Sequence, residues 1–345
     1  GDLVHTHNLG FGTGEIERDW GVGSEVRPVE VLPVEQQATF QGYLRSDGRV
    51  GTRNYLAVIA TVNCASDVAV AIARQFEGAE RDQPHFDGVI PIVHKGGCGG
   101  KPGWETELLQ RTLAGFAKNP NVGAYVLVGL GCEGNQLADQ IATGGLIRLE
   151  VAPQERPPAI LIQEVGGTQR AIDAGVDAVR RLVPLVASQR RSNQPASKLV
   201  LGLQCGGSDA LSGITANPAV GACSDELVRQ GGIAVLAETP EVYGAEHLLT
   251  RRAVSEAVAA KLLRRIEWWK EYTARNGFSI DNNPAPGNKE GGLTTIYEKS
   301  LGAVAKAGST PLNAVYEYAE AITVPGLGHM DTPGYDPVSA TGQVA

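Results

Sequence analysis

Ala124-Tyr-Val-Leu-Val-Gly-Leu-Gly-Cys-Glu-Gly-Asn135 decides the fold. Its first seven residues are an apolar run of strand length that empties into a turn of glycines, a cysteine and a carboxylate. A strand apolar on both faces belongs in a parallel sheet covered by helices, where successive strands are joined by crossover helices. Runs of the same kind recur at residues 56–62, 88–93, 159–163, 198–203 and 233–237, each short and closed by Gly, Asn, Cys or Glu. Helical patterns fall between them. Ile172, Val176, Val179 and Val183 make one apolar stripe on a helix from 168 to about 190. Asn217-Pro218 reads as an N-cap with proline at N1, closed by Gly231-Gly232 about three turns on. The longest helix spans 252 to about 276, with Gly277 as its C′ residue.

Working outward, this gives an α/β fold of two Rossmann-like parallel-sheet halves, 40–194 and 195–345, with the polar stretch 189–197 as their boundary. Residues 10–39 read as a Gly/Glu/Pro-rich linker, and 1–9 as a last strand with no partner, whose His5 and His7 are structural. The Gly/Pro/Thr-rich end, 326–345, shows no strand or helix terminator, so both ends read as cut.

Composition narrows the function. The chain has 345 residues, 30 basic against 38 acidic, for a net charge of −8. That balance opposes nucleic-acid binding, whose footprint is a basic surface. No apolar run approaches the ~20 residues of a membrane span, and residues 1–8 lack the apolar core of a signal peptide. Five scattered cysteines do not make a disulfide framework, so a reducing cytoplasmic setting is expected.

Three Gly-rich turns carry a cysteine just after a strand: His94-Lys-Gly-Gly-Cys98-Gly-Gly-Lys101, Gly129-Leu-Gly-Cys132-Glu133-Gly-Asn135 and Gly202-Leu-Gln-Cys205-Gly-Gly-Ser-Asp209. Ligands of open α/β sheets bind at the carboxyl ends of strands, and thiolates are soft ligands for iron, zinc or iron–sulfur clusters. Cys98, Cys132 and Cys205 are therefore the expected metal ligands. Cys64 is a candidate to join them, and Cys223 is expected in the core. No Cys-x-x-Cys is present, so neither a zinc ribbon nor a ferredoxin pattern is signalled. The string Gly129-Leu-Gly-Cys-Glu-Gly134 formally matches a dinucleotide fingerprint, but Glu133 puts a carboxylate where a pyrophosphate would approach.

Dehydrating a hydroxy acid takes a base, a cation for the enediolate and an acid or Lewis acid for the leaving hydroxyl. Lys289, His247, Glu133 and His94 are the candidates for proton transfer. Arg251, Arg252, Asp209, Glu238 and Glu241 are the candidates for holding substrate.

Several long strings carry a resemblance: 202–209, Glu238-Thr-Pro-Glu-Val-Tyr-Gly-Ala-Glu-His-Leu-Leu-Thr-Arg-Arg252, Asn283-Pro-Ala-Pro-Gly-Asn-Lys-Glu-Gly-Gly-Leu293 and Met330-Asp-Thr-Pro-Gly-Tyr-Asp-Pro-Val-Ser-Ala-Thr-Gly-Gln343. From residue 40 onward the chain resembles the altronate/galactarate dehydratase family, the last string its altronate branch. The resemblance implies a metal-dependent lyase that converts D-altronate to 2-keto-3-deoxy-D-gluconate and water. It also implies iron as Fe2+ or in an Fe–S cluster, with manganese as substitute, and an opening segment that is the tail of a small β-rich SAF-type lobe. The expected partners are a small anionic sugar acid and further copies of the chain in a homo-oligomer, with neither nucleic acid nor membrane. The alternatives are galactarate dehydratase or a sulfolactate sulfo-lyase-like enzyme on the same fold, and a non-catalytic metal- or nucleotide-binding module.

Overall fold

A computed structural model of the chain describes residues 20–99, 103–146, 148–333 and 339–345. The expected SAF-type tail at 1–9, with His5 and His7, lies outside the described residues. The first half runs β1 (Thr39–Leu44), β2 (Val50–Gly51), β3 (Tyr55–Ala60), α1 (Ser66–Arg74), β4 (Val89–Ile92), α2 (Trp104–Lys118), β5 (Val122–Gly129), α3 (Leu137–Gly144), β6 (Ala159–Leu161) and α4 (Thr168–Ala187). The chain continues through β7 (Ser192–Pro195), β8 (Val200–Leu203), α5 (Ala216–Arg229), β9 (Ile233–Leu236), α6 (His247–Thr250) and α7 (Glu256–Arg275). It closes with α8 (Pro286–Glu290), α9 (Ile296–Val304), β10 (Leu312–Tyr316), β11 (Gly326–Met330) and α10 (Ser339–Val344).

Two four-stranded parallel sheets result, ordered β4-β3-β5-β6 and β10-β11-β9-β8. All six strands read from the apolar runs are there. Every residue of β5 is buried, because α1 and α4 on one face and α2 and α3 on the other leave it no water. In α4, Val176, Val179 and Val183 supply the buried stripe. Helix α7 starts at Ser255, whose hydroxyl accepts from the Val258 amide, and stops where Gly277 takes φ +78°.

The stretch 189–197 contains β7, which pairs antiparallel with β1 and with β2 completes a small third sheet. Two readings need correction. Helix α5 begins at Ala216, with Thr215 and not Asn217 in the N-cap position; the Asn217 side-chain Nδ2 instead donates to Gly302 O at 2.9 Å, and Pro218 sits harmlessly in the first turn. Cys223 is exposed on α5, because Gly221, Ser224 and Val228 form the face that packs. The end of the chain holds β11, buried at all five positions, and α10. β11 has no β-branched residue and two glycines, so its sequence carries no strand signal. At Gly328 the Tyr316 ring of β10 closes over the bare position, 2.7 Å from where a Cβ would lie.

Residues 20–36 run along the second half, with the Glu25 amide donating to Arg251 O and the Leu32 amide to Arg229 O. Among the described residues, no helix is long and apolar enough to cross a membrane.

Candidate active site at the ends of β8 and β9

Adjacent parallel strands β8 and β9 bring Cys205 and Glu238 side by side, because each lies two residues beyond its strand. The Cys205 amide donates to Glu238 Oε2 at 2.6 Å. Glu238 is a non-glycine residue at φ +67°, a conformation that costs roughly 1–2 kcal/mol. Its amide donates to Thr332 Oγ1 at 3.2 Å, and Thr332 in turn donates to Thr239 Oγ1. The turn of 3-10 helix Thr239–Val242 then carries Glu241 into the same space.

Among the described residues, the donor atoms of Cys205, Glu238 and Glu241 lie within 4.8 Å of one another. Two carboxylates this close repel by ~3 kcal/mol at an effective dielectric of about 20, so the arrangement needs positive charge. Lys299, only 7% exposed, places Nζ 2.5 Å from Glu241 Oε1 and donates to Asn283 Oδ1 at 2.9 Å. Glu241 Oε2 is left buried with no hydrogen-bond partner. A mixed thiol and carboxylate set with one unsatisfied buried oxygen fits a divalent cation. Burial pushes the Cys205 thiol up and Glu241 adds to the shift, while Ser208, 3.2 Å from Sγ, and Lys306 pull it down. Beside Cys205 the chain is bare: a Cβ at Gly206 or Gly207 would meet nothing within 4 Å.

The loop 283–292 docks against this turn. Asn288 Nδ2 donates to Ser208 O at 2.8 Å and the Ala210 amide to Gly291 O at 2.9 Å. A Cβ at Gly291 would come 2.8 Å from Asp209 Cβ, so glycine permits the approach. Lys289 is thereby held, exposed, on the loop that covers the Cys205 turn.

The other expected residues fall elsewhere. Asp209 is exposed and its Oδ1 accepts from the Leu211 and Ser212 amides, fixing the turn. His247 is half-buried at the start of α6. Arg251 pairs with Glu25 at 3.6 Å. Arg252 is buried and donates to Leu248 O, Gly308 O and Thr310 O, so its charge serves the backbone.

At the first sheet, Glu133 is buried with Oε1 accepting from Thr61 Oγ1 and the Leu130 amide, and Oε2 from the Gly131 amide at 2.6 Å. The chain's own carboxylate thus fills the amide cradle that a nucleotide phosphate would need. His94 Nδ1 accepts from the Gly96 amide, and burial lowers the imidazole pKa. Cys98 and Cys132 are exposed on neighbouring loops of that sheet, and neither joins the Cys205 set.

Lys299 and Lys306 were not singled out from the sequence. Their signal is a lone lysine among small and apolar residues, in Ile296-Tyr-Glu-Lys-Ser-Leu-Gly-Ala-Val304 and in Ala305-Lys-Ala307; both are buried.

Fold and site together define an α/β protein of two parallel-sheet halves with a half-buried thiol and two buried carboxylates gathered at its strand ends. The family model described as D-galactarate/Altronate dehydratase, C-terminal, matches residues 196–345, and that described as D-galactarate dehydratase/Altronate hydrolase, second domain, matches residues 42–187. The chain is 34% identical over its whole length to altronate dehydratase of Bacillus subtilis (strain 168), covering 67% of that protein. It is 35% identical to altronate dehydratase of Escherichia coli (strain K12) over 98% of this chain and 66% of that protein. It is 38% identical to galactarate dehydratase (L-threo-forming) of the same organism over 92% of this chain and 61% of that protein. The chain belongs to the D-galactarate/altronate dehydratase family and spans about two thirds of the length of these relatives.

Proposed function

We propose that the chain is the catalytic part of a metal-dependent sugar-acid dehydratase that turns D-altronate into 2-keto-3-deoxy-D-gluconate and water. The observation that carries this reading is the convergence of Cys205, Glu238 and Glu241 beside a lysine-bearing loop. These three side chains would hold Fe2+, with Mn2+ as substitute. A metal so bound supplies Lewis-acid polarisation that acidifies the proton next to the substrate carboxylate and eases loss of the β-hydroxyl.

The chain's own residues do the rest. Lys299 holds Glu241 through Oε1 and leaves Oε2 for the site. The Cys205 amide fixes Glu238. Lys289 offers a point charge to the aldonate carboxylate and, once covered by substrate, a proton-transfer group at C2. His247 is the second proton-transfer candidate. The five described cysteines are all free, which suits a reducing cytoplasm, and a homo-oligomer is the expected assembly.

Metal analysis of the purified protein and of Glu241→Gln, with D-altronate and galactarate offered in parallel, tests the reading. The expected result is one bound metal per chain and keto-acid formation from altronate, both lost in Glu241→Gln. Full metal content in that variant would overturn the site, and turnover of galactarate alone would overturn the substrate.

A further inference from the structure

Three adjacent strands of the second sheet each present a chemistry-bearing residue two positions past the same row. Leu203, Leu236 and His329 are partners across β8, β9 and β11, and two residues on from them stand Cys205, Glu238 and Asp331. Cys205 and Glu238 belong to the donor set, and Asp331 does not. Asp331 and Thr332 come from the string 330–343 that carries the family resemblance, yet the dehydration chemistry gives neither a part.

The ends of β9 and β11 grip each other reciprocally. The Glu238 amide donates to Thr332 Oγ1, and the Thr332 amide donates to Thr239 Oγ1, both at 3.2 Å. The single proton of the Thr239 hydroxyl goes to Asp331 Oδ1 at 2.8 Å, while His329 Nε2 lies 3.4 Å from the same oxygen. Asp331 is itself anchored, since its Oδ2 lies 3.6 Å from Arg265, which also pairs with Glu317 at 2.9 Å. Thr332 is fixed from behind, its carbonyl accepting from Trp269 Nε1 at 2.8 Å. Thr239, Thr332, His329, Asp331 and Trp269 are all buried, so water offers no substitute partners.

A left-handed backbone at a residue with a Cβ persists only where its surroundings over-determine it. Among the described residues, Glu238 and Ala319 are the non-glycine residues at positive φ, and Glu238 is the one that carries a donor carboxylate. The grip takes hold of Glu238 at its amide and of the next residue at its hydroxyl. With that grip released, Glu238 relaxes to an ordinary φ, and its carboxylate swings away from the Cys205 amide that it accepts from.

We propose that Thr332 and Thr239, anchored by Asp331, are positioning residues that hold Glu238 in the left-handed turn and so keep its carboxylate beside Cys205 and Glu241. The proposal rests on the reading of that set as a cation site, and adds that the end of β11 sets its affinity.

The test uses the whole chain and two measurements. In the first, cobalt(II) is titrated under reducing conditions, with thiolate-to-cobalt absorption reporting that Cys205 is bound. Thr332→Val and Thr239→Val should each raise the cobalt dissociation constant about 10–100-fold, the usual effect of removing a group that orients a metal ligand. Thr332→Ser, which keeps the hydroxyl, should restore wild-type affinity. In the second, hydrogen exchange of the Glu238 amide is followed in the metal-free protein, and should be slow in wild type and in Thr332→Ser but fast in Thr332→Val. Circular dichroism identifies a variant that has not folded, and the other valine variant then decides. Wild-type cobalt affinity and wild-type Glu238 exchange in a folded Thr332→Val or Thr239→Val would overturn the proposal, even if the urea midpoint fell, because the threonines would then serve stability alone. A wild-type chain that takes up no cobalt would instead overturn the cation reading, and the Glu238 exchange would still decide the grip: fast in Thr332→Val supports it, unchanged overturns it.

Discussion

Lys299 and Glu241 form a buried pair whose members depend on each other. Removing one partner of such a pair strands the other charge, at about 3–5 kcal/mol. Lys299→Met should therefore lower the urea midpoint strongly, and adding Glu241→Gln should restore most of it. Equal destabilisation in the single and double variants would show that the lysine acts through packing alone. His329, in β11 and fully buried, has its pKa lowered to about 4 because burial disfavours the imidazolium. The unfolded chain, with histidine near 6.5, binds the proton first as pH falls, so stability is lost between about 6.5 and 4. The drop is worth ~3 kcal/mol. In His329→Gln that loss should disappear from denaturation curves taken across this range, measured as the difference from wild type at each pH. An unchanged slope would mean that His329 titrates as freely in the folded protein as in water.

Helix α5 shows how an element's sequence is set by what it touches. Alanine is better than glycine inside a helix by about 1 kcal/mol, yet a Cβ at Gly221 would sit 2.2 Å from Ala305 O and 3.1 Å from the Gly308 amide. Those atoms belong to backbone and cannot rotate away. Gly221→Ala should thus destabilise by roughly 1–3 kcal/mol, the usual cost of overpacking, despite the gain in propensity. A rise in the urea midpoint would show that the 305–308 turn yields. The same dependence explains what was legible. Strands β3, β5 and β9 stand out because both their faces are buried and their sequences are apolar throughout. Strand β11 does not, because two of its five residues are glycines, covered by the Tyr316 ring at Gly328 and by the Asn313 side chain at Gly326. Of the site, Cys205, Glu238 and Glu241 were readable as chemistry-bearing residues near strand ends, but not as one set.

Across the whole molecule, the two sheets are joined through α10 and an aromatic cluster. Gln343 Nε2 of α10 donates to Leu203 O and Val235 O of the second sheet, while Val344 O accepts from Asn119 Nδ2 at the end of α2. Trp104, at the start of α2, lies 6.3 Å from Trp268 of α7, which stacks on Tyr272. Each buried hydrogen bond left unmade costs about 1–3 kcal/mol. Gln343→Ala combined with Trp104→Ala should therefore uncouple the halves, and scanning calorimetry should show two transitions where the parent shows one. A single transition at the parent temperature would place the coupling elsewhere.

The apolar runs and helical stripes alone determined two parallel-sheet halves, since burial on both faces leaves its mark in every residue of a strand. They also placed glycine-rich, cysteine-bearing turns at strand ends, because turn residues close each apolar run. Which of those turns meet was decided by tertiary structure. Strand order, not spacing along the chain, sets neighbours in a parallel sheet, so β8 beside β9 joins Cys205 to Glu238 while Cys98 and Cys132 stay with the first sheet. The charge balance was decided there too: Lys299 and Lys306 look like ordinary lysines until the fold buries them beside two carboxylates and a thiol, where the low dielectric makes each charge count.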